Sequence, residues 1–368
     1  MKIYVVGGAI RDRLLGLPTS DFDYVVVGSS PKEMLQKGFK PVGQDFPVFL
    51  HPFTNAEYAL ARTERKTAPG YKGFIFHADE SVTLEEDLAR RDLTINALAQ
   101  EIDDEGNLIG PIIDYSGGQK DLEHKIFRHV GPAFLEDPVR LLRLARFAAR
   151  YPDFKIADET LVMLKEMCRS GELVALVKER VWQEFSKGFL SAKPSKMLEL
   201  LFSCGALHVF FPSALAGKTF ELGCSFIDRA SSKGLNLQQR CAALLQHLDV
   251  AIIESWVERW GIPNECRDYA VLSSILFAAL NSKSALKNSE LLLKLLDRVD
   301  VWRKPKRFDE IIEVLNLANC AGEELVKAFQ AALRVDVSAL AKELGQGSGD
   351  LIKKRIFQAR LQAIQDAL

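Results

Sequence analysis

Hydrophobic residues follow two regimes along the chain. Up to about residue 130 they come in short runs broken by turn formers. Val5-Val6 ends in Gly7-Gly8, and Val25–Val27, Val48–Leu50 and Glu57–Arg62 read as strands. The segment from Leu84 to Ala99 reads as a helix. From about Pro132 onward, β-branched runs thin out and helical spacing takes over. Leu141, Leu144, Ala145 and Ala148 share one face, as do Leu161, Leu164 and Met167. The same pattern runs through Leu291–Leu296 to Leu368. Turn-forming stretches at Gly131-Pro132, Phe211-Pro212 and Gly345–Gly349 are the natural joints. The expected fold class is α+β: a mixed-sheet head over residues 1–135, a helical segment over 136–210 and a further helical region over 211–368. There is no tandem repeat and no low-complexity linker.

Composition narrows the class without naming a function. With 48% hydrophobic and 26% charged residues, the chain has the make-up of an ordinary globular protein. A formal net charge of −1 argues against a generally basic nucleic-acid coat, though a local positive groove is compatible with it. The six cysteines show no C-x-x-C spacing and read as reduced core residues. The first residues lack the apolar stretch of a signal peptide, and no run of about 18 apolar residues appears. The expected location is the cytoplasm, with no membrane span.

Chemistry first appears in the opening 23 residues. After Val5-Val6, the diglycine lets backbone N–H groups approach phosphate oxygens with no Cβ in the way. A helix carrying Arg11 and Asp12 follows, and then Asp21-Phe22-Asp23 precedes Tyr24-Val25-Val26-Val27. Residues two apart on a strand share a face, so Asp21 and Asp23 can share metal ions. Magnesium suits carboxylates combined with substrate phosphates, and two such ions clamp an in-line phosphoryl displacement. A plain turn, or the D-x-D of a sugar-nucleotide transferase, would read the same way over this stretch alone.

Two further constellations lie downstream. Arg90-Arg91-Asp92-Leu93-Thr94-Ile95-Asn96 puts adjacent arginines on an edge that faces either solvent or a polyanion. One reading is a solvated face paired with Glu85, Glu86 and Asp87. The other has Arg91 reaching triphosphate or ribose, whose oxygens suit arginine's planar fork. In Glu136-Asp137-Pro138-Val139-Arg140, Pro138 suits a first helical turn with Asp137 near the N-cap, and Arg140, Arg143 and Arg146 follow on one face. Asp137 either only caps the helix, or pairs with Arg140 to read a base edge. In the second case its carboxylate accepts from the exocyclic amino group that cytosine and adenine share, and uracil and guanine are rejected.

Taken in order, Gly7-Gly8-Ala9-Ile10-Arg11-Asp12, Asp21-Phe22-Asp23, Arg90–Asn96 and Glu136–Arg140 resemble the class II tRNA nucleotidyltransferases, the bacterial CCA-adding enzymes of the polymerase-β-like superfamily. The resemblance is close over residues 1 to about 190. It implies a nucleotidyltransferase head with a five-stranded mixed sheet, then an all-α neck, body and tail. It also implies addition of C, C and A to the tRNA 3′ end from CTP and ATP, with pyrophosphate released. Carried over by motif, Asp21 and Asp23 hold Mg2+ and are catalytic, while Gly8 and Arg11 contact the triphosphate. Arg91 selects ribose or binds phosphate, Asp137 and Arg140 read the base, and Arg143 supports them. The expected partners are tRNA, CTP and ATP, with no obligate protein partner. Bacterial poly(A) polymerase and an A-adding enzyme share the head motifs, and a non-catalytic RNA-binding protein is the alternative from another class.

Three features refine the picture. Arg62–Phe74, rich in glycine and charge, reads as a mobile loop, at the place where the family carries the loop that switches from C to A addition. The chain contains no His-Asp dipeptide, the signature of the phosphohydrolase domain that some relatives carry, and beyond residue 208 its only histidine is His247. Arg303–Arg307 and Lys353–Arg355 are basic clusters that read either as solvated faces or as contacts to the tRNA backbone.

Overall fold

The computed structural model describes all residues except 20, 43–47, 67–73, 282–287, 321 and 344–348, and at 64–66, 74–76 and 343 it describes the backbone alone. The chain forms two compact units. One comprises Met1–Val181 with Leu200–Val209, the other Trp182–Glu199 with Phe210–Leu368.

The first unit is built on a mixed sheet. Its strands are β1 (Lys2–Val6), β2 (Asp23–Val27), β3 (Lys40–Val42), β4 (Val48–Leu50), β5 (Glu57–Leu60), β8 (Leu98–Ile102) and β9 (Leu108–Asp114). Between β5 and β8 lie the antiparallel strands β6 (Thr63–Lys66) and β7 (Phe74–His77). The seven-stranded sheet runs β3-β4-β5-β2-β1-β8-β9, with β2 and β5 parallel and the other neighbours antiparallel. That is two strands more than the family resemblance implies.

Both faces of the centre are covered, which is why β1 and β2 are apolar runs and not alternating ones. On one face Val6, Val25 and Ala99 pack with Val82, Leu84 and Leu88. Leu84 and Leu88 belong to helix α3 (Leu84–Ala89), which a Thr83–Glu86 capping box starts. On the other face Val26, Tyr58 and Leu60 meet Met34. Met34 is carried by α2 (Pro31–Gln36), which Ser30 caps. Helix α1 (Gly8–Leu14) leaves the end of β1, as the sequence pattern predicts.

The expected helix from Leu84 to Ala99 is overturned in its second half. The helix ends at Ala89, a 3-10 turn occupies Thr94–Asn96, and Leu98 opens β8. Local polar bonding wins over helical periodicity here. The Asp92 carboxylate accepts from the Leu93 N–H at 2.8 Å and from Asn96 Nδ2 at 3.0 Å, and Leu93 bridges to His129. Similarly, the strand expected over Glu57–Arg62 stops at Leu60. The segment read as a mobile loop, Arg62–Phe74, contains β6 and the first residue of β7, while residues 67–73 lie outside the described residues.

After β9 come α4 (Gly118–Glu123), β10 (Ile126–Phe127), α5 (Val139–Arg150), β11 (Lys155–Ile156), α6 (Asp158–Arg169) and α7 (Lys178–Phe189). The second unit is helical, with a core of Leu292, Leu293, Leu296, Phe308, Ile311, Leu315 and Leu325 among others. Within it Arg240 is buried and donates to the carbonyls of Leu235 at 2.7 Å and Phe189 at 2.8 Å. All six cysteines are free thiols, four of them buried. Among the described residues no helix is long and apolar enough to cross a membrane.

Candidate active site

Strand register brings the opening motifs together. Val6 pairs with Asp23 on one side and with Ala99 on the other, so the diglycine turn emerges beside the acidic pair. Asp21 lies just ahead of β2, and Asp23 is its first residue. Gly7 adopts a left-handed φ of 68° and donates its N–H to the Leu98 carbonyl at 2.9 Å. A side chain there would be strained, and its Cβ would come within 3.0 Å of Arg91 Nη1. A Cβ at Gly8 would lie 3.5 Å from Arg11 Nη2. Two guanidinium groups thus flank the two glycines.

Each arginine is held by a buried carboxylate. Asp87, with no exposed side-chain surface, accepts from Arg90 Nη2 at 2.7 Å and from Arg91 Nη2 at 3.2 Å. It also accepts from the Arg62 N–H at 3.3 Å. Burial alone would raise its pKa; the two guanidiniums outweigh burial and hold it below the usual range. Of the two readings of this edge, the solvated face paired with Glu85, Glu86 and Asp87 is replaced by an ion cluster built on the buried Asp87 alone, with Glu85 and Glu86 left outside it. Arg91 Nε is buried with no partner among the described residues, an orphaned donor beside the glycines.

Asp92 anchors the next layer. Burial would raise its pKa, but Arg143 Nε at 2.8 Å, with the bonds from Asn96 and Leu93, drives it far below the ordinary carboxylate value. Arg11 is almost fully buried. Its Nε donates to Asp12 Oδ1 at 2.8 Å and its Nη1 to Asn96 Oδ1. Its guanidinium lies over the Phe147 ring, 5.1 Å from the centroid.

The base-reading candidates sit at the start of α5. Asp137 stands two residues ahead of the helix and accepts from the Val139 N–H at 3.1 Å, so it does act as a cap. It also accepts from Arg180 Nη2 at 2.9 Å. Arg140 donates to the carbonyls of Ala133 at 2.9 Å and Arg90 at 2.6 Å. Together Arg140 and Arg143 tie α5 to residues 90–92, and so to the diglycine. Sequence reasoning missed Arg180 and Tyr151 altogether. Arg180 lies 43 positions from Asp137 with no local pattern to connect them.

Asp23 is open to solvent, yet the protein crowding around it raises its pKa. Asp21 pushes the same way, while Arg91 and Arg143 pull down. Two like-charged carboxylates sharing one place, all oxygen donors, fit a hard cation whose remaining ligands come from elsewhere. Among the described residues no group of three or more His, Cys, Asp or Glu could hold a metal alone.

Residues 3–128 match the model of the poly A polymerase head domain, and residues 153–217 that of a probable RNA and SrmB binding site of polymerase A. The multifunctional CCA protein of Burkholderia cenocepacia is 45% identical over 412 aligned positions, covering 100% of this chain and 99% of that protein. The chain belongs to the multifunctional CCA protein family. A second member, from Cupriavidus metallidurans, is likewise 45% identical, covering 100% of this chain and 99% of that protein. The alignment to the Burkholderia protein exceeds the 368 residues of this chain, so that relative carries residues with no counterpart here.

Solved structures show the same fold. The Thermotoga maritima CCA-adding enzyme complexed with tRNA superposes with a TM-score of 0.73 at 21% identity, covering 100% of this chain and 88% of that one. The Bacillus stearothermophilus enzyme in complex with CTP gives a TM-score of 0.69 at 22% identity, over 99% and 89%. A nucleotidyltransferase of the CCA family uses a divalent metal.

Proposed function

We infer that this chain adds C, C and A to the 3′ end of tRNA from CTP and ATP, releasing pyrophosphate. The observation that carries the reading is the convergence on one turn of the diglycine, Arg91 with its orphaned Nε, and the Asp21–Asp23 pair. Asp21 and Asp23 hold Mg2+. When bound, Mg2+ would neutralise charge on the triphosphate and lower the pKa of the attacking 3′-hydroxyl. Gly8 lets the triphosphate lie close to the backbone, and Arg91 and Arg11 meet it from either side. The protein contributes positioning and charge, as phosphoryl transfer requires.

Choice of base falls to α5. Arg180 fixes the Asp137 carboxylate, which still has lone-pair directions for the amino group common to cytosine and adenine. The grip of Arg140 on two carbonyls fixes the plane of its guanidinium. The free thiols suit a reducing cytoplasm.

The deciding experiment supplies a tRNA that ends at the discriminator base and another that ends in CC, with CTP, ATP or both. The expected result is C, C and A on the first and a single A on the second, read at one-nucleotide resolution. Runaway adenylation of arbitrary RNA would refute the reading in favour of a poly(A) polymerase.

Phosphohydrolase activity is not expected. The segment Arg240–Asp249 sits about where a His-Asp pair would fall; in it Gln246 is buried, and the His247 ring lies against Phe226 at 6.2 Å. Turnover of 2′,3′-cyclic nucleotides with added nickel or magnesium should stay at background.

A further inference from the structure

A path of polar contacts through α1 links the carboxyl end of α5 to Arg143 in the middle of the same helix. At its carboxyl end, the Tyr151 hydroxyl donates to Asp12 Oδ1 at 2.7 Å, and Arg150 Nη2 reaches Asp12 Oδ2 at 3.0 Å. Asp12 accepts from Arg11, and Arg11 donates to Asn96. Asn96 donates to Asp92, which accepts from Arg143 in the middle of the same helix. Tyr151, Asp12, Arg11, Asn96 and Asp92 are all buried. The Tyr151 ring also supports Arg11, whose guanidinium lies 5.6 Å from its centroid.

We propose that Tyr151 is a positioning residue for the nucleotide. Through Asp12 it holds the Arg11 guanidinium beside Gly8, so that the triphosphate-binding turn and the base-reading helix keep one spacing. This rests on the reading of Arg11 as a triphosphate contact. A buried arginine with several rotamers is directed only by its partners. Without the hydroxyl, Asp12 keeps Arg11 and Arg150 but loses a buried neutral donor, so its Oδ1 is held less firmly toward Arg11. Because Arg11 is read as a contact to the triphosphate, which CTP and ATP share, the effect should fall on both alike.

Tyr151→Phe keeps the ring and removes the hydroxyl. The expected result is a rise of about five-fold in the Kd for CTP and in the KM for both CTP and ATP. Turnover at saturating nucleotide and the KM for tRNA should change less than two-fold. A purely structural loss would move all of these together. In an Arg11→Lys background Tyr151→Phe should add nothing further, because both changes break one path. Arg150→Gln, at a half-exposed side chain, leaves no buried hole and should weaken CTP binding in the same direction.

Equilibrium dialysis with CTP reads the effect without any turnover. A CTP Kd within two-fold of the parent protein for both variants, or additive losses in the Arg11→Lys background, would overturn the proposal. Parent protein that binds CTP but extends no tRNA would overturn the proposed function and leave the dialysis result to decide the role of Tyr151.

Discussion

Asp23→Asn is expected to lower nucleotide incorporation by about 10³-fold or more while leaving the melting temperature unchanged or slightly raised. The two effects have one origin. Crowding and the Asp21 charge raise the Asp23 pKa in the folded state, so the native protein favours its protonated form. The sign follows from linkage. A carboxylate whose folded pKa lies above its unfolded value contributes stability at low pH and loses it as pH rises through the folded pKa. At neutral pH the ionised Asp23 therefore costs stability, and the neutral amide removes that cost. The same substitution removes half of the charge that would attract a divalent cation. Thermal melts of both proteins with and without magnesium, beside primer extension, test both halves. A variant that melts well below the parent would contradict this account of the Asp23 electrostatics.

Arg143→Met should destabilise the first unit by about 3 kcal/mol, although the arginine is itself part exposed. The Asp92 side chain is 7% exposed, and Arg143 is its only ionic partner among the described residues. Asn96 and the Leu93 N–H would remain, but two neutral donors do not balance a buried charge. In the parent, the depressed Asp92 pKa stabilises the fold above the unfolded carboxylate value and that contribution is lost as pH falls toward the folded one. In the variant, burial acts unopposed by a cation, the pKa rises, and stability is lost instead as pH rises. The gap in melting temperature between parent and variant should therefore narrow on going from pH 7.5 to pH 5. A constant gap would show that Arg143 does not act through Asp92. Nucleotide binding should weaken as well, since Arg143 is one of two cations acting on Asp23.

Much of this was legible in the sequence because the site is assembled from local motifs. A strand, two glycines and a D-x-D announce themselves within 23 residues, and pairing of Val6 with Asp23 brings them side by side. The second half of the Leu84–Ala99 segment was not legible. Its apolar residues fit helical spacing, and only the turn built on Asp92 and Asn96 redirects the chain into β8. The arginine edge was visible as charge, but its burial was not, because Asp87, Glu85 and Glu86 look alike in sequence and only Asp87 faces inward. Arg180 and Tyr151 were silent for a third reason. They act across 43 and 139 positions, where no periodicity carries information.

The register of β1 has a consequence for how this head tolerates insertions and deletions. Val6 is paired on both sides, and successive residues of β2 point to opposite faces of a sheet packed on both. One residue gained or lost between Asp23 and Val27 would reverse the faces on one side of the change. Either Asp23 turns from the diglycine or the core side chains beyond it turn outward, unless a bulge like the register shift between Ala99 and Glu101 absorbs it. Changes of length are therefore least disruptive in the connections between strands, where these two strands keep their own length and register.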